Sequence, residues 1–166
     1  MGSYFDSNGA IHGFLRTIDG NFTTFDAPNA AAGFFMGTTP TSINNSGIVT
    51  GFYVDTTQNS ELRVFLRASN GAFSNFATPQ LGTFGGAASI NSSGAVAGNV
   101  QNTVCTSVSC ANVPISFLRA ANGTVNSVND PEAVQGTFVI GINPAGVVIG
   151  NYIDENSVQH GFVRTP

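Results

Sequence analysis

The sequence predicts an all-β repeat array, and three observations carry that prediction. The leading glycines of a recurring unit, Gly2, Gly51, Gly98 and Gly150, are spaced 49, 47 and 52 residues apart. All three tyrosines and four of the five arginines fall at two fixed places of that unit. No stretch carries helical periodicity with start and stop signals, whereas alternating runs rich in β-branched and aromatic residues lie between turn residues, as half-buried strands require. Periods of this length mark arrays, propellers and other internally symmetric folds.

Each unit reads as four strands. The first is short and ends in Ser42-Ile-Asn44, Ser89-Ile-Asn91 or Gly141-Ile-Asn143; a two-residue gap and a glycine follow, the sign of a tight hairpin. The second is Gly51-Phe-Tyr53-Val-Asp55, with counterparts Gly2-Ser-Tyr4-Phe-Asp6, Gly98-Asn-Val100-Gln-Asn102 and Gly150-Asn-Tyr152-Ile-Asp154. The third is His12-Gly-Phe14-Leu-Arg16, Arg63-Val-Phe65-Leu-Arg67, Ile115-Ser-Phe117-Leu-Arg119 or His160-Gly-Phe162-Val-Arg164. It leads into Asp19-Gly20, Asn70-Gly71 or Asn122-Gly123, pairs that favour a type I′ turn because both central residues need φ > 0. The fourth places Phe22 and Phe25, Phe73 and Phe76, or Val125 and Val128, and stops at Pro28, Pro79 or Pro131.

Radially repeated four-stranded antiparallel units are the blades of a β-propeller. The predicted architecture is therefore a β-propeller-like array of about three and a half repeats in a single domain, 1–166, with units approximately 2–50, 51–97, 98–149 and a partial 150–166. A β-trefoil, which also uses three four-stranded units at nearly this length, is the alternative. From Ser3 the chain reads as the tail of a second strand with third and fourth strands, then two complete units, then first, second and third strands up to Pro166. A trefoil should hold three units with nothing left over.

Composition narrows the function. Only 8% of residues are charged, lysine is absent and the net charge is −4. Five arginines spread along the repeats give no clustered cations for nucleic acid or for a membrane surface. The longest apolar run, Gly136 to Gly150, is broken by Asn143 and Pro144, so no segment is expected to insert into a bilayer. The N-terminus enters the repeat directly, with no signal peptide visible. Cys105 and Cys110, close together in the polar stretch Thr103 to Val113 of the third unit, are expected to form a loop disulfide in an oxidising compartment.

The wording of the unit, with Ser/Gly-Ile-Asn, Gly-x-Val-x-Gly-x-Tyr-x-Asp, His-Gly-Phe-Leu-Arg, Asp-Gly and Phe-Asp-x-Pro, resembles the bacterial extracellular repeat family named for its His-Ala-Phe motif, over nearly the whole chain. The resemblance implies a secreted or cell-surface β-propeller-like protein and brings no catalytic residues. The third unit departs from it at Val100, Asn102 and Ile115-Ser116.

Arg16, Arg67, Arg119 and Arg164 sit two residues after Phe14, Phe65, Phe117 and Phe162, on the same face of the strand. They are read as structural, with the stem covering the ring and the guanidinium bonded to carbonyls or to Asp6, Asp55 or Asp154. The pairs Tyr4/Asp6, Tyr53/Asp55 and Tyr152/Asp154 also share a face and are the candidate ligand-binding residues, able to stack a sugar ring and accept its hydroxyl protons. The bland alternative is a tyrosine bonded within its unit and an aspartate that opens the next turn. His12 and His160 are read as making turn or inter-strand hydrogen bonds. Asp6-Ser-Asn-Gly9 and Asp154-Glu-Asn156 lack the spaced acids of a calcium loop, so no metal is expected. Nucleophile-elbow, zinc-protease and phosphate-loop patterns are absent, and Glu61, Glu132 and Glu155 fall at non-equivalent places; neither catalysis nor a cofactor is expected.

The expected function is a non-catalytic extracellular structural module. Strand edges of the incomplete terminal units, Ser3 to Asp6 and Val158 to Pro166, would pair with other copies of the chain into a ring or filament. The alternative is a lectin-like propeller that binds extracellular glycan.

Overall fold

The computed structural model describes residues 1–57, 61–78, 84–105 and 110–166, with backbone alone at 84–87, 102–105 and 110–112. Its fourteen strands form four small antiparallel sheets, each an open meander of strands consecutive in sequence. The first sheet holds β1 (Gly2–Phe5), β2 (Ile11–Arg16) and β3 (Phe22–Phe25). The second holds β4 (Thr38–Ile43), β5 (Val49–Asp55), β6 (Glu61–Arg67) and β7 (Phe73–Phe76). The third holds β8 (Phe84–Ile90), β9 (Val96–Cys105), β10 (Cys110–Arg119) and β11 (Val125–Ser127), and the fourth β12 (Gly136–Ile142), β13 (Val148–Ile153) and β14 (Gln159–Arg164). The strand counts, three, four, four and three, follow the phase read from the repeat. Among the described residues no sheet closes into the barrel that a trefoil requires.

The hairpins correct one expectation. Asn70-Gly71 does not form a two-residue type I′ turn: Gly71 N–H donates to the Ala68 carbonyl (2.9 Å), Ala68 N–H donates to the Ala72 carbonyl (2.8 Å), and of the loop residues only Gly71 has positive φ. That is a three-residue type I turn closed by a glycine bulge, and it recurs at Gly20 and Gly123. Asn70 and Asn122 stay out of the left-handed region because their side chains accept the backbone N–H two residues on, from Ala72 and Thr124, both at 3.0 Å. The same device anchors the other hairpins. Asn44 Oδ1 accepts from Ser46 and Ile48, both at 3.0 Å; Asp6 Oδ1 accepts from Asn8 at 2.8 Å and Ala10 at 2.9 Å.

The leading glycine of the unit has a packing reason. The first strand of the second, third and fourth sheets carries a bulge, after Pro40, Gly85 and Val139, which pushes backbone toward the neighbouring strand. A Cβ on Gly51 would sit 2.1 Å from the Thr39 carbonyl oxygen and 2.8 Å from the Phe65 ring; on Gly150 it would sit 2.1 Å from the Phe138 oxygen and 2.5 Å from the Phe162 ring. Close approach fixes glycine there, since neither residue has positive φ.

The chain divides into two compact units, Met1–Phe76 and Ala77–Pro166, each holding two sheets. Each builds the same joint. In the first unit Phe25, the last residue of β3, packs in the core of the next sheet against Val49, Tyr53 and Phe65, with Leu15, Ala30 and Phe73 around it. In the second unit Val128, the equivalent residue, packs with Ala97, Val139 and Val148, flanked by Leu118, Ile142 and Phe162. Two residues further on, Ala27 N–H donates to Thr38 Oγ1 at 2.8 Å and Asp130 N–H to Thr137 Oγ1 at 2.9 Å. The chain then crosses to the far end of the next sheet's second strand, where Ala31 and Val134 donate to the carbonyls of Val54 and Ile153, both at 2.9 Å.

Candidate functional site

Strand register gives each repeat tyrosine a cross-strand partner. Tyr4 stands opposite His12, Tyr53 opposite Arg63 and Tyr152 opposite His160, while in the drifted third copy Val100 stands opposite Ile115. Tyrosine is thus paired with a cationic or titratable side chain, and the copy that loses one loses both. The buried apolar pair Val100 and Ile115 takes their place. This coupling is not visible along the sequence, because nothing local states which residues two strands set side by side.

In the first sheet the Tyr4 and His12 rings stack with centroids 5.2 Å apart. His12 lies between two carboxylates, with Nδ1 at 2.9 Å from Asp26 and Nε2 at 3.6 Å from Asp6. The hydrogen bond with Asp26 raises the His12 pKa above its usual value, and Asp6 is held below the ordinary carboxylate range, first by the Ala10 N–H. The fourth sheet repeats the stack, Tyr152 on His160 at 5.0 Å, with His160 Nε2 at 3.1 Å from Asp154. There Tyr152 donates to Glu132 at 2.5 Å, and that bond pushes its phenol up to about 12. Asp154 is lowered, first by the Val158 N–H.

The second sheet closes its copy. Tyr53 is 2% exposed and Asp55 4%. Asn75 Nδ2 donates to the Tyr53 oxygen at 2.8 Å, Tyr53 donates to Asp55 at 3.4 Å, and the Thr57 hydroxyl donates to Asp55 at 2.7 Å. Burial pushes the Tyr53 phenol up, and the Thr57 hydroxyl holds Asp55 down. Of the three Tyr/Asp pairs, the one on the first sheet is open to solvent, with Tyr4 41% exposed. Asp6, Asp55 and Asp154 all spend Oδ1 on the turn that follows them, which is the reading of an aspartate that opens a hairpin.

Arg16, Arg67 and Arg119 fold back over the turn after their own strand. Arg67 lies 4.9 Å above the Phe25 ring and Arg16 lies 5.8 Å above Phe22. Arg67 and Arg119 Nη1 donate to the Ala68 and Ala120 carbonyls at 3.4 and 3.3 Å. A Cβ on Gly20, Gly71 or Gly123 would be 3.5 to 3.6 Å from a guanidinium nitrogen. Arg164 lines a groove with Val128, Asp130 and Phe162. Phe65 and Phe117 are fully buried, Phe14 packs on Phe22 at 5.4 Å and Phe162 flanks the second unit's core. Cys105 and Cys110 are Cα partners at the end of the β9–β10 pair, and their side chains lie outside the described residues.

One surface feature escaped the sequence reading. Phe5, Phe34 and Phe35 form an exposed aromatic cluster, 56%, 72% and 66% accessible, with Phe34–Phe35 and Phe5–Phe35 edge-on at 4.4 and 5.4 Å. Phe35 has φ 58°, unusual for a bulky residue. A signal existed: the connection from Pro28 to Thr38 spans ten positions, where Pro131 to Thr137 spans six. The chain matches no protein-family model, no curated protein and no solved structure.

Proposed function

We propose that this chain is a non-catalytic, extracellular structural module whose sheets are propeller-like blades and which binds other copies of itself through strand edges into a ring or filament. What supports the reading is that β1 and β14 are the outer strands of their sheets among the described residues. An edge with unpaired N–H and C=O groups is a template for strand addition. Blade character is supported by the sheet joint that both units repeat, with Phe25 and Val128 at its centre. An extracellular setting is supported by the low charge, the opposed Cys105 and Cys110 and the resemblance to the His-Ala-Phe repeat family. Because β1 and β14 are different surfaces, the contact is heterologous and closes or propagates according to its rotation.

Sedimentation across a concentration series tests this. The 166-residue chain is expected to show mass rising with concentration, and removal of residues 158–166 to leave a monomer. A wild-type chain that stays monomeric throughout, or a truncated one that associates as before, refutes it.

The open Tyr4, stacked on His12, supports a second reading, sugar binding at the first sheet. On a glycan array Tyr4→Ala is then expected to lose whatever signal the parent gives, and binding indifferent to that change removes the idea.

A further inference from the structure

The joint of the second unit holds a buried polar cluster. Asn99 of β9 and Ser116 of β10 stand opposite each other in the third sheet, and both are buried, as are Thr137 and Val139 of β12. β12 is the outer strand of the fourth sheet and has β13 on one side only, so backbone groups on its other side need partners from outside that sheet. The third sheet supplies them. Asn99 Nδ2 donates to the Val139 carbonyl and Val139 N–H donates to Asn99 Oδ1, both at 2.6 Å. One carboxamide thus meets both backbone groups of one residue, as a paired strand does.

The Ser116 hydroxyl completes the cluster. It lies 2.6 Å from Asn99 Oδ1, within reach of the Thr137 carbonyl and 3.3 Å from Val139 N. Its single proton goes to one of the two oxygens while a lone pair faces the N–H. The Ser116 carbonyl accepts from Val128 N–H at 2.8 Å, which ties the cluster to the residue at the centre of the joint.

Val139 is the residue at which the β12 bulge begins, opposite Gly150. Its counterpart in the second sheet, opposite Gly51 where the β4 bulge begins, is Pro40. That residue is buried too, and it has no N–H to satisfy. β1 and β2 pack against β4 as β9 and β10 pack against β12, yet the first sheet sets Ser3 opposite Gly13 at the places of Asn99 and Ser116. A Cβ on Gly13 would lie 2.6 Å from the Phe25 ring, so the packed ring takes the space that a serine side chain needs. The second and fourth sheets have Phe52 opposite Val64 and Asn151 opposite Gly161 at those places. Of the four sheets, the third alone puts a carboxamide opposite a hydroxyl there, and in its unit the bulge residue carries an N–H.

We propose that Asn99 and Ser116 determine which sheet docks on the third: they accept a first strand whose bulge residue offers both N–H and C=O, as β12 does, and reject one with proline there, as in β4. Proline at the bulge sets ring carbons against Asn99 Oδ1 and leaves that oxygen and the Ser116 hydroxyl buried without their donor, a mismatch that disfavours the wrong neighbour about tenfold or more. The sheets are near copies of one another, and misassembly of like repeats is a characteristic failure of such chains. Apolar surfaces of valine and phenylalanine tolerate many fillers of similar volume. A carboxamide that must receive one N–H and give to one C=O does not, so the cluster contributes discrimination beyond what packing supplies.

The test is a double-mutant cycle in the full chain, with unfolding of the second unit followed by hydrogen exchange of residues 148–153 across a denaturant series. One background is the parent; the other carries Asn99→Ser and Ser116→Gly, the residues of the first joint. Val139→Pro is expected to raise the unfolding constant at least about tenfold more in the parent than in that second background. Exchange of residues 49–55 in the first unit is expected to be unchanged throughout. Equal effects of Val139→Pro in the two backgrounds overturn the proposal, since the cost is then proline strain alone. Where Val139→Pro leaves the second unit unfolded from the outset, Asn99→Leu makes the same test, being similar in volume and lacking the carboxamide. The Val139 amide is then expected to exchange at least about tenfold faster relative to the Val134 amide, which the Ile153 carbonyl holds on the same sheet. An unchanged ratio overturns the proposal as well.

Discussion

Phe65→Ala is expected to destabilise the first unit by about 4 kcal/mol, most of the stability a small domain commonly has. The ring is fully buried and is the hub of the aromatic packing, with centroids at 6.4 Å from Phe25, 6.5 Å from Tyr53 and 5.7 Å from Phe73. It also roofs Gly51, so its removal leaves a cavity beneath that glycine. Phe14 occupies the equivalent place of the first sheet, is only partly buried and packs on the exposed Phe22. For Phe14→Ala a loss of about 1.5 kcal/mol is expected. Denaturant titration of both variants measures the contrast. Equal losses would mean that the joint with Phe25 at its centre does not hold the unit together.

Gly51→Ala is expected to cost about 3 kcal/mol although it adds a single methyl group. The Cβ would run into the Thr39 carbonyl oxygen, which is backbone pinned by the adjacent bulge, and into the Phe65 ring. Neither can move without opening the β4–β5 pair. Gly161→Ala is the matched control: that position is also in a strand, but open space surrounds it. At a concentration where the chain is monomeric, its effect is expected within about 0.5 kcal/mol of zero. Comparable effects at the two glycines would show that residue type rather than close approach sets the cost.

Much of the fold was legible. Alternation and the spacing of glycine and asparagine located all four strand types, and their phase along the chain matches the sheets strand for strand, including β1 as a second strand and β14 as a third. The turn type was not legible from Asp-Gly and Asn-Gly alone. Those dipeptides suit a type I′ turn of two residues and a type I turn with a glycine bulge of three, and strand register chooses between them. The register also supplied the tyrosine partners. His12, Arg63 and His160 are far enough along the chain from Tyr4, Tyr53 and Tyr152 that only the pairing of β1 with β2, β5 with β6 and β13 with β14 makes them neighbours.

The arginines show where a local reading suffices. Each lies two residues after a phenylalanine, and Arg16, Arg67 and Arg119 lie four before a turn glycine, with a stem long enough to cover both; the guanidinium lies over the turn at Gly20, Gly71 and Gly123. The aspartates offered as alternative partners are engaged in their own turns, which are closer and fixed by the backbone. Local bonds form at little entropic cost and take precedence over distant ones.

The sequence by itself determined the strands, their order in each sheet and the turns that join them, because period-two alternation, an asparagine cap and a glycine bulge act over a few residues. Tertiary structure alone decided which copies of one motif are open. Tyr4 and Tyr53 sit in near-identical local sequence, yet Tyr53 is 2% exposed and Tyr4 41%. Phe25 of the preceding sheet packs into the core beside Tyr53; no such wedge meets Tyr4 among the described residues. Burial depends on what another sheet brings to a face, and no local sequence encodes that.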